Sequence, residues 1–544
     1  MHNTSHSHLA SISRFLSRPL VSTLFAFHPN DLGESLFSPP SEWEEWWDWP
    51  GEVCDGQHGP EQEDPWLVLL RYYESCLSGH EPAEQASLIP PVLRSLISDA
   101  CKLALPRDIG QVYPGHRSTS QTPHHPRDPK TQVLPLGMSP KKAHEVAQVV
   151  GYLGTLMSPG SSMCSIRHVV DIGAGQVRRF MEKRNAYLSR VLRDQLGLHV
   201  LALDSSEVQT QGAARRDASK MTRRAAQRRR VEADDSARKQ ASRIEQSCAG
   251  VTNGSLTYVT TIIDPDSLVS STKAWLEDNS PWSAGIHAPA QVTPVLFVAL
   301  HACGSLTPDI LRAFVSVRKP DPSLASTSTT WMPQGVVIVG CCYNMIRCED
   351  FPLSRTLRSC SPHPWVYLSP SHLQLAAQVP YQWTRSQQTL KEVRFALRKI
   401  VWRALLQDTF KMRQELVDEG GPGMGANATS TGTRLERIGR LNDAAYADWE
   451  TFCNAVRTKL PLQHRDLPTT PSSQLERRVA VFHVLRCILG PVVESFILLD
   501  RLAWVSEELD GSPLTAQLVN LFDQASGSGR NVAIAILPNH EPPS

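Results

Sequence analysis

One short stretch constrains this chain more than any other: His168–Gln176, which reads H-V-V-D-I-G-A-G-Q. Val169 and Val170 are β-branched and suit a buried strand. Asp171 ends that strand, and Ile172-Gly173-Ala174-Gly175 supplies a tight turn. Glycine carries no Cβ, so such a turn lets the backbone approach a nucleotide closely. A turn of this kind ordinarily opens straight into a helix. Here V-R-R-F-M-E-K-R-N intervenes before A-Y-L-S-R-V-L-R starts an amphipathic one.

Size and charge set wide bounds. The 544 residues are enough for roughly two to four domains. A net charge of +1 provides no global field toward nucleic acid or membrane, so any such partner must be held by a local patch. Twelve cysteines without a C-x-x-C pair do not read as a disulfide framework, which favours a reducing compartment. Cytoplasm or nucleus is therefore expected, and the sequons at Asn3, Asn253 and Asn427 read as chance. The first thirty residues lack acids and carry Arg14 and Arg18; an ordinary helix is the reading, with a mitochondrial transit peptide as the alternative. The apolar run Val479–Leu499 holds Arg486 and Glu494 and is broken by Gly490-Pro491. It reads as a buried helix pair, so no membrane partner is expected, and the chain is expected to be a monomer.

Along the chain, 1–105 reads as a helical region. Its Trp43, Trp46 and Trp47 share one helical face by spacing, with Trp49 close behind. That face is expected to dock onto the rest of the protein; a base-stacking platform is the alternative. Residues 106–135, rich in proline and histidine, read as a linker. The core spans 136–400. It opens on a helix with Ser139 as cap and Pro140 at the first helical position. Strands follow at His168–Asp171, Leu198–Leu203, Leu256–Ile263, Val295–Leu300 and Gly335–Val339, alternating with helical stretches. Residues 177–185 read as a loop insertion and 209–245 as a charged segment. The part 401–544 reads as mostly helical, with a last strand at 531–537 able to rejoin the sheet. The expected fold is α/β: a Rossmann-like, doubly wound parallel sheet with helices on both faces, an N-terminal helical region and helical insertions in the C-terminal half.

In open α/β sheets ligands bind beyond the carboxyl ends of the strands. The candidate cofactor residues are accordingly Asp171, Gly173, Gly175, Gln176, Asp204, Asp264 and His301. An acid about twenty residues past the glycines commonly holds ribose hydroxyls. Asp204 lies 29 positions past Gly175, and 20 if Val177–Asn185 is removed, which marks those nine residues as an insertion. A dinucleotide site would want a third glycine where Arg178 stands. S-adenosylmethionine carries no pyrophosphate, so the pattern favours methyl transfer over hydride transfer. Cys342, Tyr343 and Asn344 are the candidate catalytic wall facing the acceptor, where positioning does most of the work. His301, Cys303, Cys341 and Cys342 follow neighbouring strands. Because adjacent cysteines chelate one tetrahedral ion poorly, no metal site is expected; metal binding and thiol nucleophile chemistry remain the alternatives.

Several motifs in order, M-S-P-K-K-A-H-E-V, V-D-I-G-A-G-Q, A-L-H-A-C-G-S-L, V-G-C-C-Y-N-M-I and G-P-V-V-E-S-F-I-L-L-D-R-L, resemble the methyltransferase-like protein twenty-five family over roughly 136–538. The resemblance implies a Rossmann-like domain and an S-adenosylmethionine-dependent methyltransferase. The H-x-C-G and C-C pair is also similar to tRNA 2′-O-methyltransferases, a resemblance compatible with an RNA acceptor. The acceptor is not read from the chain, and RNA, protein side chains and small metabolites all stay open. The N-P-P-Y-type base pocket of adenine methylases is absent. Members of the family run from G-A-G-Q directly into a segment matching Ala186-Tyr187-Leu188-Ser189. The nine residues Val177–Asn185 are then either a misplaced exon edge or a real insertion that displaces the amides framing the cofactor carboxylate. In the second case the chain is a degenerate Rossmann-like module binding RNA or protein, with eight Lys/Arg between Arg215 and Arg230 as the RNA contact. A nicotinamide oxidoreductase is the third reading.

Overall fold

The structure is a computed structural model that describes residues 2–32, 38–51, 64–79, 87–113, 138–174, 186–205, 254–278, 292–319, 330–359, 368–418, 439–459 and 472–539. Gly175, Gln176, the stretch Val177–Asn185 and the basic run Arg215–Arg230 lie outside the described residues.

The described chain divides into two units. One comprises Met1–Leu9, Pro106–Cys360 and Ile497–Ser544; the other comprises Ala10–Leu105 and Ser361–Phe496. The first holds a mixed sheet of eight strands: β1 (Val112–Tyr113), β2 (His168–Ile172), β3 (His199–Asp204), β4 (Leu256–Thr260), β5 (Thr293–Cys303), β6 (Trp331–Cys341), β7 (Leu514–Asn520) and β8 (Val532–Pro538). Their order is β1-β7-β8-β6-β5-β2-β3-β4. β4, β3, β2, β5 and β6 run parallel, as alternating strands and helices lead one to expect. β8 joins β6 antiparallel, and β7 and β1 extend that edge antiparallel. From β2 the chain steps outward to β3 and β4, then returns to the opposite flank for β5 and β6. The winding direction therefore switches between β2 and β5.

Both faces are covered. Val169, Val200, Leu296, Val298 and Val337 pack on one face beneath the helices Pro140–Leu156 and Tyr187–Leu196, through Val146, Val149, Val150, Leu153, Val191 and Leu192. Ser139 caps the first of these helices, its Oγ accepting from the Lys142 amide at 3.4 Å, and Pro140 fills the first turn where no amide partner is needed. The intervening strand residues Val170, Leu201, Phe297 and Ile338 are equally buried. Two-sided burial explains why these strands read as continuous apolar runs. The helix Leu306–Arg318 packs on β5 and β6 and against the helix Pro265–Asp278.

Two strands go beyond the sequence reading. β7 follows a long helix and has only the short alternation Leu514-Thr515-Ala516-Gln517-Leu518 to mark it. β1 lies inside what reads as a linker. It is short but tied down: the Asn520 side-chain amide donates to the carbonyls of Pro106 and Asp108 at 2.9 Å each. β4 ends at Thr260, earlier than its apolar run suggests.

The second unit is helical around Pro19–Ala26, Pro65–Ser78, Pro91–Leu103, Trp449–Arg457 and Ser473–Ile488. Trp43, Trp46 and Trp47 are at most 2% exposed and Trp49 is 7% exposed. Trp43 packs against Trp46, Trp47 and Phe482. The tryptophans are a docking face within this unit, and their burial leaves none free to stack bases. The stretch Ser473–Glu508 is long and apolar enough to cross a membrane, but 89% of its apolar window is buried.

Candidate functional site at the sheet switch point

The carboxyl ends of β2, β3 and β5 meet where the winding switches, the place where open α/β sheets bind ligands. Gly173 leaves β2 with φ of +75°, a conformation glycine adopts freely. Its amide and that of Ala174 both donate to the Leu203 carbonyl, at 2.9 and 3.1 Å, and so pin the turn to the end of β3. A Cβ on Gly173 would sit 3.3 Å from Leu306 Cδ2 and 3.7 Å from the His301 carbonyl oxygen. The glycine turn therefore touches β3, β5 and the helix after β5.

Asp171 is 2% exposed and lies under the first turn of the helix Tyr187–Leu196. The Ser189 hydroxyl donates to its Oδ2, and the Ser189 amide bonds to it as well. Burial raises its carboxyl to about 6 against the counteracting Ser189 bonds and Lys142 charge, and Asp204 pushes in the same direction as burial. Asp171 thus shapes the turn and caps the next helix. Asp204 ends β3 at 4% exposure, close enough to act on Asp171.

His301 lies within β5, which continues to Cys303, past the apolar run that marks it in the sequence. Its Nε2 is 3.4 Å from Oε2 of Glu145, a residue of the helix Pro140–Leu156 that is 2% exposed. Burial alone would raise the Glu145 carboxyl; His301, with Lys142 and Lys141 behind it, outweighs burial and holds it below its ordinary value. Sequence reasoning missed Glu145. Its signal was a lone acid among the apolar positions of the motif helix.

Asp264 is set apart. It is exposed and caps the helix Pro265–Asp278: its Oδ1 accepts from the Ser267 amide at 2.8 Å, and Ser267 Oγ accepts from the Asp264 amide at 2.9 Å.

At the ends of β5 and β6, Gly304 takes φ of +55°, and a Cβ there would lie 2.5 Å from the Met345 carbonyl oxygen. This close approach brings Cys303 beside Cys341 and Cys342, with Sγ separations of 3.3 and 3.5 Å. The Cys341 thiol is held well above its ordinary value by hydrogen bonds with Cys303 and Cys342 and by burial. Of the expected acceptor wall, Cys342 is half-buried and Asn344 exposed, but Tyr343 is 1% exposed under the Arg501 guanidinium. The segment behind them is fixed by ion pairs unread in the sequence: Arg347 to Asp309 at 2.6 Å and to Asp350 at 2.8 Å, and Arg312 to Asp350 at 2.6 Å.

Two cavities lie elsewhere in the described residues. One, about 530 Å³, is lined by Ser506, Glu507, Asp510 and Thr515; the other, about 550 Å³, by His28, Trp383, His483 and Arg486.

Comparison with known proteins bears on this edge directly. Residues 141–349 match the family described as a methyltransferase domain, a span that runs from the Glu145 helix to the ion-paired segment after β6. The chain is 25% identical to the Homo sapiens protein named probable methyltransferase-like protein 25, over 44% of this chain and 36% of that protein. It is 24% identical to the Mus musculus protein of the same name, over 47% of this chain and 41% of that one. The chain thus matches less than half the length of either relative. No solved structure matches it. Residues 141–349 thus resemble a methyltransferase domain, and the likeness of the chain to methyltransferase-like protein 25 supports the same family.

Proposed function

We propose that this chain is an S-adenosylmethionine-dependent methyltransferase whose cofactor lies across the carboxyl ends of β2, β3 and β5. The observation that carries the reading is the meeting of Gly173, Asp204 and the Glu145–His301 pair at the switch point of a doubly wound sheet. Gly173 keeps the turn clear of side chain. Asp204 holds the ribose hydroxyls, which need a short acceptor at the end of the second strand. His301, oriented by Glu145, lines the pocket on the β5 side. Methyl transfer is an in-line displacement, so these groups act by holding the donor in line with the acceptor.

The acceptor we favour is RNA, reached through the basic run Arg215–Arg230. The test is incubation of the purified protein with methyl-labelled S-adenosylmethionine and a fractionated lysate. Label in the RNA fraction supports this acceptor; label only in protein or small molecules removes it. The second reading is a binding module without catalysis, and the nine residues Val177–Asn185 favour it, since they interrupt the motif where a cofactor carboxylate would sit. Salt-dependent RNA retention by a protein that binds no S-adenosylmethionine would select it.

A further inference from the structure

Spacing alone argues against one metal ion on adjacent cysteines, yet the fold removes that objection. Cys342 takes a left-handed conformation, φ of +49°, and its sulfur turns back toward those of Cys303 and Cys341. All three Sγ atoms lie within 4.8 Å of one another. Zinc–sulfur bonds of about 2.3 Å in a tetrahedron separate the sulfurs by about 3.8 Å. The observed 3.3 and 3.5 Å need to open by only a few tenths of an ångström to reach that spacing. β5 and β6 are in register here, Cys303 facing Cys341, so the backbone already holds two of the ligands.

The end of β6 also borders a buried cation. Arg501 is 1% exposed, and none of its three guanidinium nitrogens makes a hydrogen bond among the described residues. It packs where a Gly340 side chain would begin, 3.2 Å from Nη1, and Cys341 is one of the groups acting on its charge. Asp500 and Asp350 also act on it, but their oxygens serve others: Asp500 accepts from Leu353 and Ser354, and Asp350 pairs with Arg312 and Arg347. A buried guanidinium without acceptors is costly. Thiolates at this strand end would add negative charge to the groups already acting on Arg501 through space.

We propose that Cys303, Cys341 and Cys342 bind one soft divalent cation of the zinc class as thiolates. Three sulfurs leave the fourth position to water or to a bound ligand. Binding releases the thiol protons. The site stands whether or not the chain transfers methyl groups.

The test uses the full chain, purified under reductant without oxygen and dialysed against a chelator. Zinc is then titrated with the metal read by mass spectrometry, and cobalt(II) is substituted with absorption as the readout. One zinc per chain and a sulfur-to-cobalt charge-transfer band are expected. Cys303→Ser and Cys341→Ser should each lose at least about 10-fold in zinc affinity, while Cys164→Ser, outside the cluster, should not. A readout independent of variant folding is alkylation of the unaltered protein: zinc should protect Cys303, Cys341 and Cys342 and leave the exposed Cys348 reactive. Failure to bind zinc, cobalt bound without the charge-transfer band, or alkylation of the three thiols unaffected by zinc would each overturn the site. So would a Cys303–Cys341 disulfide in the protein as isolated.

Discussion

Glu145 Oε2 and His301 Nε2 stand 3.4 Å apart, joining the first helix of the methyltransferase domain to the carboxyl end of β5. The glutamate side chain is 3% exposed and the histidine side chain 20%, so removing one partner strands the other in low dielectric. His301→Ala should therefore destabilise the first unit by about 3 kcal/mol, measured by urea unfolding at neutral pH. Glu145 is held below its ordinary value, so its contribution to stability is present above the unfolded pKa and is lost as pH falls through the folded one. The cost of His301→Ala should accordingly shrink in acid.

Asp171 carries the opposite sign. Its folded carboxyl titrates near 6 against an ordinary 3.8, so the folded state binds the proton more tightly. Stability from this group is present in acid and lost as pH rises through about 6. Relative to Asp171→Asn, which does not titrate, the native protein should lose about 3 kcal/mol of stability between pH 3.8 and 6. A pH-independent difference between the two proteins in paired denaturation curves would refute the assignment.

Two glycines with positive φ separate strain from collision. At Gly79, φ is +68° and nothing lies within 4 Å of the position an added methyl would take, so Gly79→Ala should cost about 1 kcal/mol, the backbone penalty alone. At Gly304 the same methyl would strike the Met345 backbone, and Gly304→Ala should cost about 3 kcal/mol or more. Thermal unfolding of both variants checks the ordering.

Trp43 is fully buried among Trp46, Trp47 and Phe482. Trp43→Ala should destabilise the second unit by about 3–5 kcal/mol. A stable Trp43→Ala protein with weakened nucleic-acid binding would revive the base-stacking role.

The parallel half of the sheet was legible because buried strands leave apolar runs and each ends in a small or acidic residue. Asp171, Asp204 and His301 could be placed at strand ends for that reason. Asp264 looked equivalent because sequence spacing cannot tell a strand-end acid from a helix cap; in the fold it caps a helix through Ser267. Glu145 was invisible because its importance lies in a partner 156 positions away in the chain. β1 was hidden because edge pairing depends on backbone groups such as the Gly110 amide bonded to Asn520, which carry no side-chain pattern; β7 offers only the short alternation Leu514–Leu518. The cysteine cluster needed the left-handed turn at Cys342, which nothing in C-C-Y announces.

The most direct measurement of the central claim is calorimetric titration of S-adenosylhomocysteine into the native protein and into Asp204→Ala. Binding by the native chain, weakened roughly 5- to 150-fold in the variant, is the predicted result for a carboxylate that holds ribose hydroxyls. Equal affinity in both proteins, or no binding to the native chain, would contradict a cofactor seated at the carboxyl edge between β2, β3 and β5.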